Sequence, residues 1–369
     1  MTKVVIAGAG TAGTAAAAEL AGKAEVYLLN GEEALPYYRM RLEEVVEGNG
    51  RDRITMRPAS WYEEKGIKLL SAKLSSIDRE GKTVTLSDGA VLSYDKLLLA
   101  LGSRARMFQI PGRSGNMTAL RTMADAEKLR EKLLEGPGSL VVIGGGLLGL
   151  EAAFSVARSF PVKVTVLESA GHLLPRQLDA ERSHYLERKL AEAGVEVRTG
   201  VSAASGTEDS LSLSSGEVVP AGLVCFSIGV VPEKAVAVDA GLTSNRGIVV
   251  DSHMRTSDED IYAAGDCAEH NGICSGLTAP ARAMGITAAR GILGEDSVYV
   301  PSSSVTTLKV AGVDIISMGD ISGSAHEEEW NGGRVVKFVR DGFIRGIILI
   351  DNKKSQKQAA ALLGSACGE

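Results

Sequence analysis

The chain is 369 residues long, enough for two or three domains at roughly 100 to 200 residues each and for a core that needs no disulfide or metal. With 44% hydrophobic residues, 10 prolines and no Gly-X-Y period, it is neither a collagen-like nor a disordered chain. A net charge of −6 and 4% aromatics argue against a phosphate-backbone partner and leave few rings for stacking bases, so no nucleic acid is expected. The excess is in glycine, 43 residues, which asks where the backbone turns sharply or approaches something closely.

In chain order, Val4–Ala7 is apolar without alternation, as a parallel strand covered on both faces requires. It enters Gly8-x-Gly10-x-x-Gly13 and an alanine-rich helix, and a second strand closes at Asn30. The loop Pro36–Leu42 follows, then a helix-to-strand passage through Gly66, a hairpin turning at Ser87-Asp88-Gly89, and an apolar strand, Leu97–Leu101, that ends in Gly102. A Pro-Gly turn at Ile110–Arg113 reads as a linker. The series then recurs: Gly144, Gly146 and Gly149 lie 136 residues after the first three glycines, Gly194 lies 128 after Gly66, and Gly229 lies 127 after Gly102. Landmarks in one order with drifting offsets mean two copies of one architecture.

Beyond the second copy, Thr256–Glu269 reads as a strand running into a Gly265-Asp266 turn, followed by a helix from about Pro280 to Ile292. The runs Val305–Val310, Val313–Met318, Val335–Val339 and Ile344–Ile350 read as strands, and a Lys/Gln/Ala-rich helix closes the segment. His326–Glu329 is assigned to an exposed turn. The expected fold is α/β: two doubly wound dinucleotide-binding domains, the second inserted in the first, plus a small C-terminal α+β domain. The expected boundaries are 1–108 and 225–297 for the first domain, 109–224 for the inserted one and 298–369 for the third.

Cys225, Cys267, Cys274 and Cys367 form no CxxC pair and no zinc or iron–sulfur spacing, so no metal is expected and a reduced, cytoplasmic setting is. The longest uncharged stretches are broken by glycine or proline and fall short of the roughly 18 residues of a spanning helix. Residues 1–30 show neither the cationic start nor the cleavage site of a signal peptide. No membrane partner is expected.

Each Gly-x-Gly-x-x-Gly follows a strand and opens a helix, which is the context a pyrophosphate cradle needs. The first glycine makes the turn, the second lets the backbone approach phosphate, the third lets helix pack on strand, and the helix N-terminus supplies N–H groups and positive dipole. Glu168 ends the second strand of the second copy and suits the ribose hydroxyls while repelling a 2′-phosphate, which favours NADH over NADPH; the nearby Arg176 pulls the other way. In the first copy the aligned residue is Asn30, and Glu32 is the candidate ribose ligand. Two such sites in one chain imply a held and an exchanging cofactor, FAD with a nicotinamide dinucleotide.

The segments GAGTAG, LLLALGSRAR, GGGLLGLE, SIGVVPE and DIYAAGDCAE resemble the pyridine nucleotide-disulfide oxidoreductase superfamily in its flavoprotein reductase form. More locally, PYYRMRL, LLPRQLD, GLTAPA and LKVAGVDIISMGD are similar to the NAD(P)H:rubredoxin oxidoreductase and nitrite reductase flavin-module branch. The resemblance implies that Gly8, Gly10, Gly13, Glu32, Ala100, Gly102 and Asp266 hold FAD, and that Gly144, Gly146, Gly149, Glu168 and Gly229 hold the nicotinamide dinucleotide. It further implies that Arg39 contacts the flavin, that Glu151 lines the nicotinamide pocket, and that Thr278 and Ala279 open a helix aimed at the flavin ring. Lys309 is a further candidate near the ring.

Disulfide-reducing relatives carry a redox cysteine where this chain has Tyr37–Glu47, so no redox disulfide is expected; a redox role for Cys274 is the exception weighed. Ferredoxin-reducing relatives carry Ser-Lys where this chain has Glu43, so no lysine for Glu151 comes from there. The expected reaction is hydride transfer from NADH to FAD and release to a small acidic redox protein such as rubredoxin. The net +4 of residues 330–369 is the candidate docking patch. Two alternatives stand: the flavin module of a nitrite reductase-type complex, and a slow flavin redox sensor or interaction protein.

Overall fold

The computed structural model describes residues 1–301 and 305–367. Of the expected third domain, Ser302–Ser304 and Gly368–Glu369 therefore lie outside the described residues. The helices used below are α1 (Thr11–Leu20), α2 (Leu42–Glu47), α3 (Met123–Leu134), α4 (Leu147–Ser159), α5 (Ala180–Glu192) and α6 (Thr278–Ile292).

The first sheet is parallel throughout, in the order Ile261–Ala263, Lys96–Leu99, Lys3–Ala7, Glu25–Leu29, Ile67–Leu70. The second has the mirrored listing Val195–Thr199, Lys163–Glu168, Ser139–Ile143, Leu223–Phe226, Met117–Ala119, again all parallel. Four strands correspond one to one, and the fifth is borrowed. Met117–Ala119 precedes its copy, whereas Ile261–Ala263 follows the return from the inserted domain, which is why the repeat in the sequence is incomplete. Val4, Val5 and Ile6, like Val141 and Val142, are fully buried, as strands between two helical layers must be. Each such side chain contributes roughly 1.5–3 kcal/mol by leaving water.

The two chain crossings between the domains zip together, Val230 opposite Ala105 and Pro232 opposite Ser103. The expected boundary between 224 and 225 needs correction. Leu223–Phe226 is one strand of the second sheet, bonded to Ser139–Ile143 and Met117–Ala119, so the chain leaves that domain after Phe226. Ile110–Arg113 is likewise no free linker. Ile110 and Arg113 are buried, and the Arg113 guanidinium donates to the carbonyls of Thr207 and Ala221, each at 2.7 Å.

The third domain is an antiparallel sheet ordered Val305–Val310, Val313–Gly319, Phe343–Ile350, Gly333–Arg340, Ser324–Trp330, with a helix at Gln356–Leu362. Its edge strand corrects a second expectation: His326–Glu329 is not a turn but runs in register against Arg334–Lys337. An exposed edge explains the misreading, because charged residues there carry no apolar alternation and protect the edge from pairing.

One hydrophobic cluster joins all three domains. Tyr37, Leu42, Val46 and Ile54 pack with Leu150, Ala153 and Val156 of α4 and with Leu308 and Val310 of the third domain. The segment between the first domain's second and third strands is thereby clamped over the start of α4.

Candidate functional site

The two glycine turns are built alike. Gly8 and Gly144 each take φ of 114°, a conformation side chains rarely adopt. A Cβ on either would overlap a carbonyl oxygen at the end of the neighbouring strand, that of Ala100 or of Ser227. A Cβ on Gly13 or Gly149 would strike the Gly8 or Gly144 carbonyl, so these glycines set the helix-to-strand distance. Gly10 and Gly146 differ: both have ordinary negative φ, and a Cβ there would meet nothing within 4 Å. Flanked by two glycines the fold itself requires, the middle ones face open space that a Cβ would partly fill, and they sit at uncapped helix starts rich in free N–H groups. Both turns thus fit a dinucleotide pyrophosphate.

At the second turn Glu168 is already aimed. Its Oε2 accepts the Gly145 N–H at 2.8 Å and its Oε1 accepts the Ala170 N–H at 2.8 Å, which fixes a half-buried carboxylate beside the cradle. Arg176 is exposed. Gly229 lies just before the crossing strand Val230–Pro232.

The first turn has no such acid in the equivalent place. Asn30 donates to the Ala34 carbonyl at 2.8 Å, while Glu32 turns toward the following loop. Glu32 is bonded to Arg39 at 2.6 Å and accepts from the Tyr37 hydroxyl at 2.7 Å and from the Met123 N–H at 3.2 Å. Burial raises its pKa most, but the Arg39 guanidinium together with the bonds from Tyr37 and the Met123 N–H holds the carboxyl below its ordinary value. Burial and the neighbouring carboxylate push the Tyr37 phenol well above its ordinary range, so it stays a donor. Both oxygens of Glu32 are therefore engaged by the loop and by the start of α3.

A polar network leads from there to Asp266. Arg39 also donates to the Tyr37 hydroxyl at 2.9 Å and to the Arg121 carbonyl. Arg121 in turn donates to Asp266 at 2.8 Å and to the Ser103 hydroxyl at 2.7 Å, and Ser103 donates to the same Asp266 oxygen at 2.8 Å. Ala100 and Gly102 lie on the chain leading to Ser103, so the network sits at the carboxyl ends of the first sheet, where doubly wound folds bind ligands. Arg121 and Ser103 were not singled out from sequence. The Thr122-to-Asp125 capping box that opens α3 was the available signal, because it fixes where Arg121 must project.

α6 approaches this region from the other side. Thr278 and Ala279 are its first residues, exposed and without a side-chain cap, and Thr278 lies 3.9 Å from the Met40 sulfur of the loop. Gly285 lets α6 settle on the Ala12 backbone of α1. Opposite, Glu43 on α2 and Glu151 on α4 are half-buried, and burial lifts each carboxyl to about 7, with Glu43 adding to the shift of Glu151.

Other candidates lie elsewhere. Lys309 is 61% exposed and pairs with Asp314 at 3.6 Å. Cys225 and Cys267 are buried and unpaired, each thiol pushed up to about 12 by burial, and burial also raises the Cys274 thiol. In the basic segment, Arg334 pairs with Glu327, Lys337 with Glu328 and Arg340 with Asp320, so much of its charge is neutralised by the edge strand and its neighbour; Arg345, Lys353, Lys354 and Lys357 form no salt bridge among the described residues. Glu327 also holds the buried Arg182 of α5, which makes this strand an interdomain joint.

Two cradles on paired parallel sheets define a two-dinucleotide reductase of α/β class. The model of the family described as pyridine nucleotide-disulphide oxidoreductase matches residues 2–289, and the chain belongs to that family. It is 33% identical to the NADH-rubredoxin oxidoreductase of Clostridium acetobutylicum over 98% of this chain and 91% of that one. It is also 33% identical to a Bacillus subtilis nitrite reductase [NAD(P)H], over 95% of this chain but 44% of that protein. A ferredoxin reductase from Rhodopseudomonas palustris superposes with a TM-score of 0.89 at 28% identity, covering 99% of this chain and 96% of the other. The chain is an FAD-dependent NADH oxidoreductase, and none of its four cysteines is paired. No described helix is long and apolar enough to cross a membrane.

Proposed function

We infer that the protein passes electrons from NADH, through FAD, to a small redox protein of the rubredoxin or ferredoxin kind. The observation that carries the reading is the pair of matched cradles, Gly8 to Gly13 and Gly144 to Gly149, with no cysteine in the chain between them. Bound at the first cradle, FAD would supply the chemistry that accepts a hydride and gives up its two electrons one at a time, with the proton lost to solvent. The residues that would hold it are Gly10 toward the pyrophosphate, Asp266 with Ser103 and Arg121 toward the polar ribityl chain, and the uncapped start of α6 toward the ring. Gly146 and Glu168 hold and orient the nicotinamide dinucleotide, with Glu168 favouring NADH by repelling a 2′-phosphate. Glu32, Tyr37 and Arg39 lock the intervening loop to the start of α3.

Rubredoxin is favoured among acceptors by the near full-length likeness to an NADH-rubredoxin oxidoreductase. Because this chain spans 44% of the nitrite reductase it resembles equally, service as the flavin module of such a complex is the second reading. Anaerobic stopped-flow separates them: the flavoprotein is mixed with NADH or NADPH, flavin bleaching is followed, and rubredoxin, ferredoxin or nitrite is added. Rapid bleaching by NADH and rapid recovery with rubredoxin is expected. Bleaching with no rapid recovery by either small carrier would falsify the carrier-reductase reading, and a protein that binds no flavin would sink the scheme.

A further inference from the structure

The junction of α2 and α4 carries two acids that no described cation pairs with, although, against the larger effect of burial, Arg41 lies near enough to Glu43 to lower its carboxyl slightly. Ser155 of α4 donates to Glu47 of α2 at 2.9 Å and reaches the Glu43 carbonyl at 3.5 Å, so these helices meet side by side. Glu43 and Glu151 stand one helical turn before Glu47 and Ser155, on the same faces, so the contact between those two puts this pair along the same seam, and Glu43 adds to the upward shift of Glu151. Among the described residues, the neighbouring cations are paired elsewhere, apart from the exposed Lys128 of α3. Arg41 and Arg53 hold Glu44, at 2.6 and 2.8 Å, and Arg158 holds Glu47. On α3, Arg130 donates to the Val46 carbonyl and Glu127 holds Arg51. Lys309, on the strand packed against α4, pairs with Asp314; beneath α4, Lys163 and Arg198 pair with Glu196, and Glu168 is tied to backbone N–H groups. Asp52 is the remaining acid of the adjoining short helix. Glu43 and Glu151 form no ion pair with any described residue.

The pair is no separate site. Glu151 lies two residues beyond Gly149, on the first turn of the helix whose N-terminus forms the second cradle, so whatever extends from that cradle along α4 meets it. NADH carries a neutral dihydronicotinamide ring, whereas NAD+ carries a full positive charge there. We propose that Glu43 and Glu151 act together to set the relative affinity of the second cradle for NAD+ and NADH as a function of pH, an inference that rests on the nicotinamide reading of that cradle. Above neutrality the doubly ionised pair attracts the cationic ring; below it, the pair keeps one proton and attracts the ring more weakly. The linkage balances as singly protonated pair plus NAD+ giving doubly ionised pair with NAD+ bound plus one proton released to solvent. The two carboxyls titrate as one unit, so the transition belongs to the pair.

The test is calorimetric titration of the oxidised holoprotein between pH 6 and 8, in two buffers of different ionisation enthalpy. The ligands are NAD+, the unreactive neutral-ring analogue tetrahydro-NAD, and ADP-ribose, which lacks the ring. NAD+ binding should tighten about tenfold with proton release, the effect of one unit of pKa linkage. The two probes without a charged ring should stay level. In Glu43→Gln and Glu151→Gln the NAD+ slope should flatten while ADP-ribose affinity persists. A flat NAD+ curve in the natural protein with ADP-ribose still bound overturns the pair's role, as does a slope that survives in both variants. Failure of ADP-ribose and NAD+ to bind at any pH instead overturns the nucleotide assignment beneath it.

Discussion

Arg121 and Asp266, 145 residues apart in the chain, meet at 2.8 Å with about 16% and 15% of their side chains exposed. The contact ties the segment entering α3 to the turn that closes the last strand of the first sheet, and both share the Ser103 hydroxyl. Removing one partner leaves a half-buried charge with fewer hydrogen bonds, a loss of about 1–3 kcal/mol. Arg121→Ala and Asp266→Asn should each lower flavin retention, read as absorbance near 450 nm per mole of purified protein. Because they belong to one network, the double variant should lose less than the sum of the two. Full flavin content in both single variants would remove this network from the flavin site.

The cradles invite a paired glycine test. Gly146→Ala places a methyl into open space at a negative φ, so the fold should keep its thermal midpoint while NADH binding weakens by about tenfold or more, as the backbone no longer reaches phosphate. Gly149→Ala drives the methyl into the Gly144 carbonyl, so stability should fall by roughly 1–3 kcal/mol. Thermal unfolding and dinucleotide titration of both variants separate the two roles. Gly10→Ala and Gly13→Ala should repeat the contrast for flavin.

These glycines were legible from sequence because a strand, a turn and a helix impose their own periods, and because the duplication supplied an internal control. Of the borrowed fifth strands, Ile261–Ala263 was legible as a strand before the Gly265-Asp266 turn but not as an edge of the first sheet, and Met117–Ala119, three residues long and outside its repeat, was not legible at all. Glu168 was found by counting from Gly149, and it is held where counting put it, by the Gly145 N–H. Glu32 shows the limit of that method: the acid is there, but Arg39 and Tyr37, a few residues on, determine where it points. The charge sum of the C-terminal segment misled for a related reason, because it counted Arg334 and Lys337 without the Glu327 and Glu328 that pair with them across the sheet.

Under the proposed function, nucleotide preference should follow from Glu168. Its carboxylate is fixed beside the cradle by two backbone N–H groups, so it cannot swing away from a 2′-phosphate. Glu168→Ala should raise KM for NADH about 10- to 100-fold, the loss of charge-assisted bonds worth roughly 1.5–3 kcal/mol. It should raise KM for NADPH less, because a repulsion disappears as well. Steady-state flavin reduction with each dinucleotide measures the ratio. An unchanged NADH to NADPH preference would place the ribose elsewhere.

Glu43 and Glu151 also make a stability prediction whose sign is fixed by the direction of their shifts. Each carboxyl titrates near 7 in the folded protein, pushed up first by burial, and near the ordinary value of 4.5 when unfolded. The folded state therefore holds more protons between those limits, so their contribution to stability is fully present below about pH 4.5 and is lost as pH rises through 7. Replacing either with glutamine, which stays neutral, removes that loss. Glu43→Gln and Glu151→Gln should each match the natural protein at low pH and exceed it by roughly 1–3 kcal/mol at pH 8, the size expected for half-buried acids after solvent screening. Chemical denaturation of the three proteins at pH 5 and pH 8 checks this. A natural protein whose stability rises from pH 5 to 8 by as much as that of both variants would show that the two acids are ionised without cost, and that the α2–α4 junction is wetter than its packing implies.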